Sequence, residues 1–304
     1  MIHKTIYLYE GREDVTLTTY LLSDSPEMLA GRKRPAVLIC PGGAYLGCSD
    51  REAEPVAMAF SAMGYHTFVL RYTTYGSEVF ERGFEGMVPR KECQYPAPMQ
   101  EIGLAMLEIK NHADEWLVDE NKVAICGFSA GAHNCAMYAT HWHRPVITDL
   151  AEGTKERFRP AACILGYCLS DYLYMKEYTN QDAGAVAMFE ASNLSFLGEK
   201  KASEERLLEV SPARWVTEET PPVFLWATAA DELVPVQHSL RMAYALAEQE
   251  VPFEVHIFEE GRHGLSLATQ ASSAVSSQVN ADAAKWVGLA DAWLKKRFAI
   301  AFQE

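Results

Sequence analysis

The chain has 304 residues, of which 49% are hydrophobic and 22% charged, a composition typical of a protein with a sizeable buried core. This composition excludes intrinsically disordered and collagen-like proteins. The 41 Asp and Glu residues outnumber the 27 Lys and Arg residues, and the resulting net charge of −14 disfavours binding to nucleic acids and to anionic membranes.

The first predicted element is a β-hairpin. Two segments of alternating apolar and polar residues, 4–10 and 15–22, flank the turn residues 11–14. Such alternation is typical of strands with one exposed face, and Gly11 and Asp14 favour a turn between them. We expect this hairpin at one edge of a sheet.

After residue 34, the sequence predicts strands that are buried on both faces. Continuous apolar runs bounded by Gly, Pro or Asp are typical of parallel strands. These runs are Ala36–Cys40, Thr67–Leu70, Val123–Cys126, Ala161–Leu165 and Val223–Ala227. A last run, Phe253–Phe258, alternates more strongly and is expected nearer a sheet edge.

Helical periodicity fills the segments between these strands. The predicted helices are Glu52–Met63, Met99–Trp116, His133–His143, Gln237–Gln249 and Asp282–Phe298. The alternation predicts an α/β fold with a doubly wound, mainly parallel sheet of about eight strands and an antiparallel hairpin at one edge. We expect one domain over residues 1–304.

Two segments are too long for ordinary connections between a strand and a helix. Residues 72–98 contain scattered Gly and Pro, and residues 170–216 are rich in Tyr, Met and Phe. Long insertions at the carboxyl ends of parallel strands usually build the ligand pocket. Alternatively, they only cover the sheet edges. We expect residues 170–216 to form a small cap.

Cysteine usage and the first residues bear on the cellular compartment. The seven cysteines have no compact repeating spacing, and Cys40, Cys126 and Cys163 lie in apolar runs, which predicts reduced thiols in the core. Met1 leads directly into a strand pattern without the apolar stretch of a signal peptide. Because no apolar run reaches about 18 residues, we expect a cytoplasmic protein without a membrane span.

The most specific chemical motif is Gly127-Phe128-Ser129-Ala130-Gly131, a G-x-S-x-G pattern between a predicted strand and a predicted helix. At such a junction, the pattern is typical of a nucleophile elbow, whose glycines permit a strained turn that exposes the serine hydroxyl. We predict Ser129 as a nucleophile. The alternative is a Gly-Ser loop without a catalytic role.

A serine nucleophile needs a base to take its proton, and the base needs a carboxylate to orient it. Asp231 follows the predicted strand that ends at Ala227, and His263 lies between two glycines after the last predicted strand. We predict Asp231 as the acid and His263 as the base. Two alternatives remain for the acid: Glu232 takes this role, or Asp231 only caps the next helix.

Acyl transfer also needs N–H donors for the developing oxyanion. The loop Pro41–Tyr45 directly follows the first buried strand. We predict the backbone N–H groups of Gly42, Gly43 and Ala130 as these donors, although a simple tight turn would also explain the two glycines. Tyr45 is expected either to form a wall of the acyl pocket or to pack in the core.

The other histidines do not predict a metal site. His133 follows the elbow and is expected to pack against its own helix. His141 and His143 are two positions apart on a predicted helix, so their side chains diverge. We therefore expect no bound metal ion.

Three longer stretches resemble the α/β-hydrolase superfamily, in particular its bacterial acetyl-xylan and sugar esterases, which are related to hormone-sensitive-lipase-like esterases. Gly127–His133 resembles the elbow G-F-S-A-G-G-H, Tyr95–Glu101 resembles Y-P-x-P-x-x-D/E, and Thr220–Pro235 resembles T-P-P-x-F-L-W-x-T followed by D-x-x-V-P. The order Ser, Asp, His is also that of this superfamily. In place of the H-G-G-G of lipase-like esterases the chain has Pro41–Ala44, which favours the sugar esterase branch.

The resemblance implies an α/β-hydrolase fold and a serine esterase that forms an acyl-Ser129 intermediate. The implied substrate is a small-molecule ester with a short acyl group, in particular an acetylated sugar or xylo-oligosaccharide. The resemblance implies neither a metal nor an organic cofactor.

The sequence leaves several alternatives open. A serine peptidase or amidase on the same fold and a catalytically silent binding protein are the two competing functions, and a homo-oligomer is not excluded. Five tyrosines near the loops either stack on sugar rings or pack the cap: Tyr72, Tyr75, Tyr167, Tyr172 and Tyr174.

Overall fold

The computed structural model describes residues 1–151, 153, 155–179 and 183–300. Within these residues, eight strands form one sheet in the order β1-β2-β4-β3-β5-β6-β7-β8. The strands are β1 (Ile2–Tyr9), β2 (Arg12–Leu21), β3 (Arg34–Cys40), β4 (His66–Arg71), β5 (Val118–Phe128), β6 (Ala162–Gly166), β7 (Val223–Thr228) and β8 (Phe253–Phe258). Strand β2 pairs antiparallel with β1 and β4, and the other neighbours are parallel. The predicted sheet and its edge hairpin are confirmed.

Helices cover both faces of this sheet. They are α1 (Glu54–Ala62), α2 (Val79–Arg82), α3 (Ala97–Asn111), α4 (Ala130–His141), α5 (Pro145–Thr148), α6 (Lys155–Phe158), α7 (Tyr172–Thr179), α8 (Ala183–Leu197), α9 (Glu204–Glu209), α10 (Gln237–Glu248) and α11 (Trp286–Phe298). On one face, α3, α4 and α10 bury Met106, Met137 and Met242. On the other, α1 and α11 bring Phe60 and Trp286 within 6.1 Å between ring centroids. The two apolar layers explain the continuous apolar runs of the central strands.

Helix α3 is shorter than its apolar stripe predicts. The stripe extends to Trp116, but α3 ends at Asn111. The chain turns at Leu117, which has a φ of 52°, and the Val118 N–H donates to the Ala113 carbonyl. Trp116 is nevertheless buried, because its ring packs 5.6 Å from that of Phe68. The turn after α3 thus continues the helical spacing of buried apolar residues, although it is not helical.

The two long insertions follow β4 and β6, whose carboxyl ends lie at the same edge of the sheet as the end of β5. Residues 72–98 contain the short helix α2, one 3-10 turn and the first two residues of α3, whereas residues 170–216 contain α7, α8 and α9. The insertions therefore lie beside Ser129, which directly follows β5.

All seven cysteines lie in the described residues and none forms a disulfide. Cys48 is half-buried and the other six are buried, so they behave as small core side chains. Among the described helices, none combines the length and the apolar composition needed to cross a lipid bilayer.

A buried carboxylate holds the start of the first insertion. Glu101, on α3, is fully buried and accepts hydrogen bonds from both the N–H and the hydroxyl of Thr73, the N–H at 2.6 Å. The Thr73 hydroxyl also accepts from Arg12. Burial raises the pKa of Glu101 to about 7, against the lowering effects of the Thr73 hydrogen bonds and of Arg12. This contact explains the acidic residue that ends the Tyr95–Glu101 motif.

Glu101 is expected to make stability fall as the pH rises. Its pKa of about 7 in the folded protein exceeds the ordinary value of 4.5, so between these two values the folded state binds more protons than the unfolded state. Glu101→Gln removes this dependence. Between pH 4 and pH 8, the free energy of unfolding of Glu101→Gln should therefore rise by about 3 kcal/mol relative to that of wild type, as measured by urea denaturation at each pH.

The exposed Glu115, in the turn that follows α3, offers the control. Glu115→Gln should follow the pH dependence of wild type. Parallel stability curves for Glu101→Gln and wild type would contradict the assignment of the dependence to Glu101.

Candidate active site

Ser129 occupies a strained turn between β5 and α4. Its φ of 51° and ψ of −120° are unusual for a residue with a side chain. The flanking glycines are required by close backbone packing: a Cβ at Gly127 would lie 2.3 Å from the Gly131 carbonyl oxygen, and one at Gly131 would lie 2.1 Å from the Cys40 carbonyl oxygen. The G-x-S-x-G pattern is therefore a packing requirement of this turn.

The structure brings Ser129, His263 and Asp231 into one hydrogen-bonded line. The distance between His263 Nε2 and Ser129 Oγ is 2.8 Å, and that between His263 Nδ1 and Asp231 Oδ2 is 2.7 Å. Asp231 is only 5% exposed. With Nδ1–H donating to the buried carboxylate, Nε2 is left to accept the serine proton.

The surroundings of Asp231 distinguish it from its neighbour. Asp231 Oδ1 accepts the N–H groups of Leu233 and Val234 at 3.0 and 2.9 Å, while Oδ2 faces His263. Glu232 is exposed. Helix α10 begins only at Gln237, so Asp231 does not cap it. These contacts favour Asp231 over both alternatives raised by the sequence.

The loop that carries His263 is held from two sides. Gly261 and Gly264 have φ values of 139° and 75°, which favour glycine on either side of the histidine. The Thr228 hydroxyl, at the end of β7, donates to the Gly261 carbonyl at 2.7 Å. The Tyr167 ring lies 4.9 Å from the imidazole of His263 between centroids, in an edge-to-face arrangement.

The glycines after β3 lie directly against Ser129. A Cβ at Gly42 would lie 2.9 Å from Ser129 Cβ, and Gly43 has a φ of 135°. The Gly42 N–H, one of the three expected oxyanion donors, donates instead to the Glu52 carboxylate at 2.7 Å. For the N–H groups of Gly43 and Ala130, the described part of the chain contains no acceptor. These two therefore have free N–H groups beside Ser129.

Tyr45, the last residue of this loop, forms a buried pair with His133 of α4. His133 Nε2 lies 2.7 Å from the Val210 carbonyl, which can only accept, so Nε2 carries the proton and Nδ1 accepts the Tyr45 hydroxyl at 2.5 Å. Burial lowers the pKa of His133 to about 4, which keeps the ring neutral. The Tyr45 ring stacks on Phe196 with 4.0 Å between centroids. His133 thus anchors Tyr45.

A small apolar cavity of about 60 Å³ opens beside Ser129. Its walls come from the loop Pro41–Tyr45 (the oxyanion loop), from α7 and α8 of the second insertion, and from the segment after Asp231. They include Tyr45, Tyr172, Met175, Met188, Phe189 and Val234. Tyr45 is 1% exposed and serves as a wall of the cavity as well as a core side chain.

Of the two alternatives for the five tyrosines, burial favours packing for four of them. Tyr72, Tyr75, Tyr167 and Tyr172 are buried, because their rings pack inside the insertions and against the catalytic loops. Tyr72, for example, donates its hydroxyl to the Pro41 carbonyl at 2.6 Å. Tyr174 is half-buried, and the Arg241 guanidinium covers its ring.

His141 lies in a setting unlike that of a metal ligand. It is buried, its Nδ1 lies 2.9 Å from the Met137 carbonyl, and burial lowers its pKa to about 4. Over the ranges that the structure describes, no group of three or more His, Cys, Asp or Glu side chains is arranged to hold a metal ion.

Comparisons with known proteins agree with this architecture. The BD-FAE family model matches residues 26–246. The carboxylesterase Cest-2923 from Lactobacillus plantarum WCFS1 is 28% identical, with a TM-score of 0.78 and coverage of 100% of both chains. The acetyl ester-xyloside bifunctional hydrolase from Caldicellulosiruptor lactoaceticus is 27% identical, with a TM-score of 0.72 over 98% of this chain and 97% of that one.

Among curated proteins, the endo-1,4-beta-xylanase B of Butyrivibrio fibrisolvens is 33% identical over 241 residues, which is 78% of this chain but 33% of that protein. The esterase LipQ of Mycobacterium tuberculosis is 22% identical over 77% of this chain and 52% of its own length. The chain thus spans about a third to a half of these relatives. With the fold and the family match taken together, the chain belongs to the BD-FAE family and has the α/β-hydrolase fold.

Proposed function

We propose that the protein is a serine carboxylesterase that removes short acyl groups, above all acetyl, from small acetylated carbohydrates such as xylo-oligosaccharides. The observation that carries this proposal is the hydrogen-bonded line of Ser129, His263 and Asp231, which ends at a small apolar cavity. Serine hydrolysis of an ester needs these groups together with oxyanion donors.

In the acylation step, Ser129 Oγ attacks the ester carbonyl carbon while His263 Nε2 takes the serine proton. Asp231 stabilises the imidazolium that forms. The N–H groups of Gly43 and Ala130 stabilise the oxyanion. His263 then gives the proton to the leaving sugar oxygen as its bond to the acyl carbon breaks.

In the second step, His263 takes a proton from water, whose oxygen attacks the acyl carbon. The tetrahedral intermediate collapses, the bond to Ser129 Oγ breaks, and the proton returns to the serine. A carboxylic acid leaves, and the reaction requires no metal or organic cofactor in any of these steps.

The cavity supports a short acyl group. An apolar cavity of about 150 Å³ holds benzene, whereas the cavity beside Ser129 measures about 60 Å³. Met175, Met188 and Phe189 close it from α7 and α8. We therefore assign residues 170–216 as the cap that limits acyl length within a single domain.

Two relatives support a sugar as the alcohol part of the substrate. One is named an acetyl ester-xyloside hydrolase, and the other carries the name of a xylanase. A neutral acetylated sugar is also compatible with the net charge of −14, since it is not repelled by an acidic surface.

Acyl preference is expected to follow the cavity. Wild type should cleave p-nitrophenyl acetate with a higher kcat/KM than the butyrate ester and barely cleave the octanoate. Met188→Ala, which opens the cavity wall, should raise the ratio of butyrate to acetate turnover by about 10- to 100-fold, since butyrate is two methylenes longer than acetate and one methylene is worth roughly tenfold or more in an apolar pocket. Met58, half-buried on α1, provides the control Met58→Ala, which should keep the wild-type ratio.

The same enzyme preparation should release acetate from acetylated xylo-oligosaccharides. Ester turnover without acetate release from these sugars would refute the carbohydrate assignment and retain the esterase. Turnover of p-nitroanilides in preference to every ester would instead favour an amidase.

A further inference from the structure

A second buried carboxylate lies beside the catalytic residues, and the reaction steps above do not use it. Glu52 is 4% exposed, and its Oε2 accepts the Gly42 N–H at 2.7 Å. Its Oε1 accepts the Tyr167 hydroxyl at 2.6 Å, and the same hydroxyl accepts the Ser266 N–H at 3.0 Å. Glu52 thus connects the loop of Gly42 to the loop that carries His263.

The side chain of the preceding residue, Arg51, binds backbone carbonyls of the same loop. Its guanidinium donates to the carbonyls of Gly264 at 2.8 Å, of Ser272 at 2.6 Å and of Leu265 at 3.5 Å. The Ser266 hydroxyl donates back to the Arg51 carbonyl at 2.5 Å. The positively charged guanidinium of Arg51 therefore binds backbone carbonyls of the loop that carries His263, including that of the next residue, Gly264.

The peptide between Pro41 and Gly42 is held at both polar atoms. Glu52 accepts its N–H, and Tyr72 donates to its carbonyl at 2.6 Å. The next N–H along the chain, that of Gly43, is one of the two free donors beside Ser129. The carbonyl of the peptide that carries the Gly43 N–H accepts the Ser49 N–H at 2.9 Å, so the two anchored peptides together set where the Gly43 N–H can point.

We propose that Arg51 and Glu52 form a positioning clamp that fixes the oxyanion loop and the His263 loop relative to each other. The inference rests on the proposed serine mechanism, which draws its oxyanion donors and its base from these two separate loops. Neither residue touches the reacting atoms. A displacement of about 1 Å can cost a factor of about 100 in rate. A shared anchor that keeps both loops in place is therefore expected to raise kcat.

Glu52→Gln is the sharpest test, since it keeps the shape of the side chain. An amide has one acceptor oxygen in place of two, so either the Gly42 N–H or the Tyr167 O–H loses its acceptor. A structural role alone would lower stability. A positioning role would lower kcat as well and leave KM nearly unchanged.

Glu101→Gln is the matched control. Glu101 is also a buried carboxylate that accepts one backbone N–H and one hydroxyl, both from Thr73, and it contacts neither catalytic loop. For p-nitrophenyl acetate near pH 7, we expect Glu52→Gln to lower kcat by about 10- to 100-fold with KM within about twofold. Glu101→Gln should retain kcat within about twofold.

Tyr167→Phe is the second variant and decides the matter if Glu52→Gln does not fold. It keeps the ring against His263 and removes only the hydroxyl that joins Glu52 to Ser266. We expect kcat to fall by about 3- to 10-fold at unchanged KM. Wild-type kcat in either folded variant, or an equal loss of kcat in Glu101→Gln, would overturn the clamp.

The proposed function is tested separately in the same assay. If wild type hydrolyses the ester and Ser129→Ala does not, the serine mechanism holds and the Glu52→Gln result applies to the clamp alone. If wild type and Ser129→Ala have equal activity, the serine mechanism fails and the clamp fails with it.

Discussion

Replacing Ser129 with alanine is expected to lower kcat for p-nitrophenyl acetate by about four to six orders of magnitude. The variant loses the only oxygen that lies 2.8 Å from His263 Nε2 among the described residues, and with it the acyl-enzyme route. The oxyanion donors and the cavity remain, so weak attack by water is the residual reaction. Steady-state kinetics measure the loss, and mass spectrometry should detect an acetyl adduct on Ser129 in wild type alone.

Ser61 provides a matched control for this variant. It is a buried serine on α1, and its hydroxyl pairs with that of Thr67, away from the catalytic loops. Ser61→Ala should keep the wild-type kcat. A Ser129→Ala enzyme with more than a tenth of wild-type activity would exclude an acyl-Ser129 intermediate.

Much of the fold could be predicted because its signals are local. The strands β3, β5 and β7 contain the continuous apolar runs Ala36–Cys40, Val123–Cys126 and Val223–Ala227, and the two helix layers require such runs. Ser129 could be predicted for the same reason, since the strand, the turn and the helix of the elbow are contiguous in sequence. Asp231 and His263 each follow a strand, so the topology alone places them at one sheet edge.

The roles that escaped prediction depend on contacts between distant residues. Glu52 looks like an ordinary residue at the start of a helix, but its partner Tyr167 lies 115 positions further along the chain. His133 and Tyr45 are 88 positions apart. Nothing in the local pattern shows that these side chains meet, and the same holds for the burial of Tyr167 and Tyr172, which depends on how the insertions fold back.

Gly42 shows which part of a role could be predicted from the sequence and which part could not. The need for glycine at this position could be predicted, because two glycines directly after a buried strand favour a close backbone approach. The direction of its N–H depends on the buried carboxylate of Glu52, which no spacing indicates. The sequence therefore indicated the loop Pro41–Tyr45 as a source of oxyanion donors, whereas the structure was needed to separate the N–H groups of Gly43 and Ala130 from that of Gly42.

Asp231→Asn is expected to lower kcat by about three to four orders of magnitude, although asparagine has nearly the same shape as aspartate. Asp231 Oδ1 accepts two backbone N–H groups, from Leu233 and Val234. In the asparagine variant, the amide oxygen must keep that position, so the NH₂ group faces His263 Nδ1. Nδ1 then becomes an acceptor, the proton moves to Nε2, and the ring can no longer take the proton of Ser129.

Glu232→Gln is the natural comparison, because Glu232 is the exposed neighbour of Asp231 and the alternative acid in the sequence. It should retain kcat within about twofold, since one exposed carboxylate contributes little to a buried site. Kinetics with p-nitrophenyl acetate on the two variants, supported by equal melting temperatures, separate the two carboxylates. A large loss in Glu232→Gln with little loss in Asp231→Asn would assign the acid to Glu232 and require the loop after β7 to rearrange before catalysis.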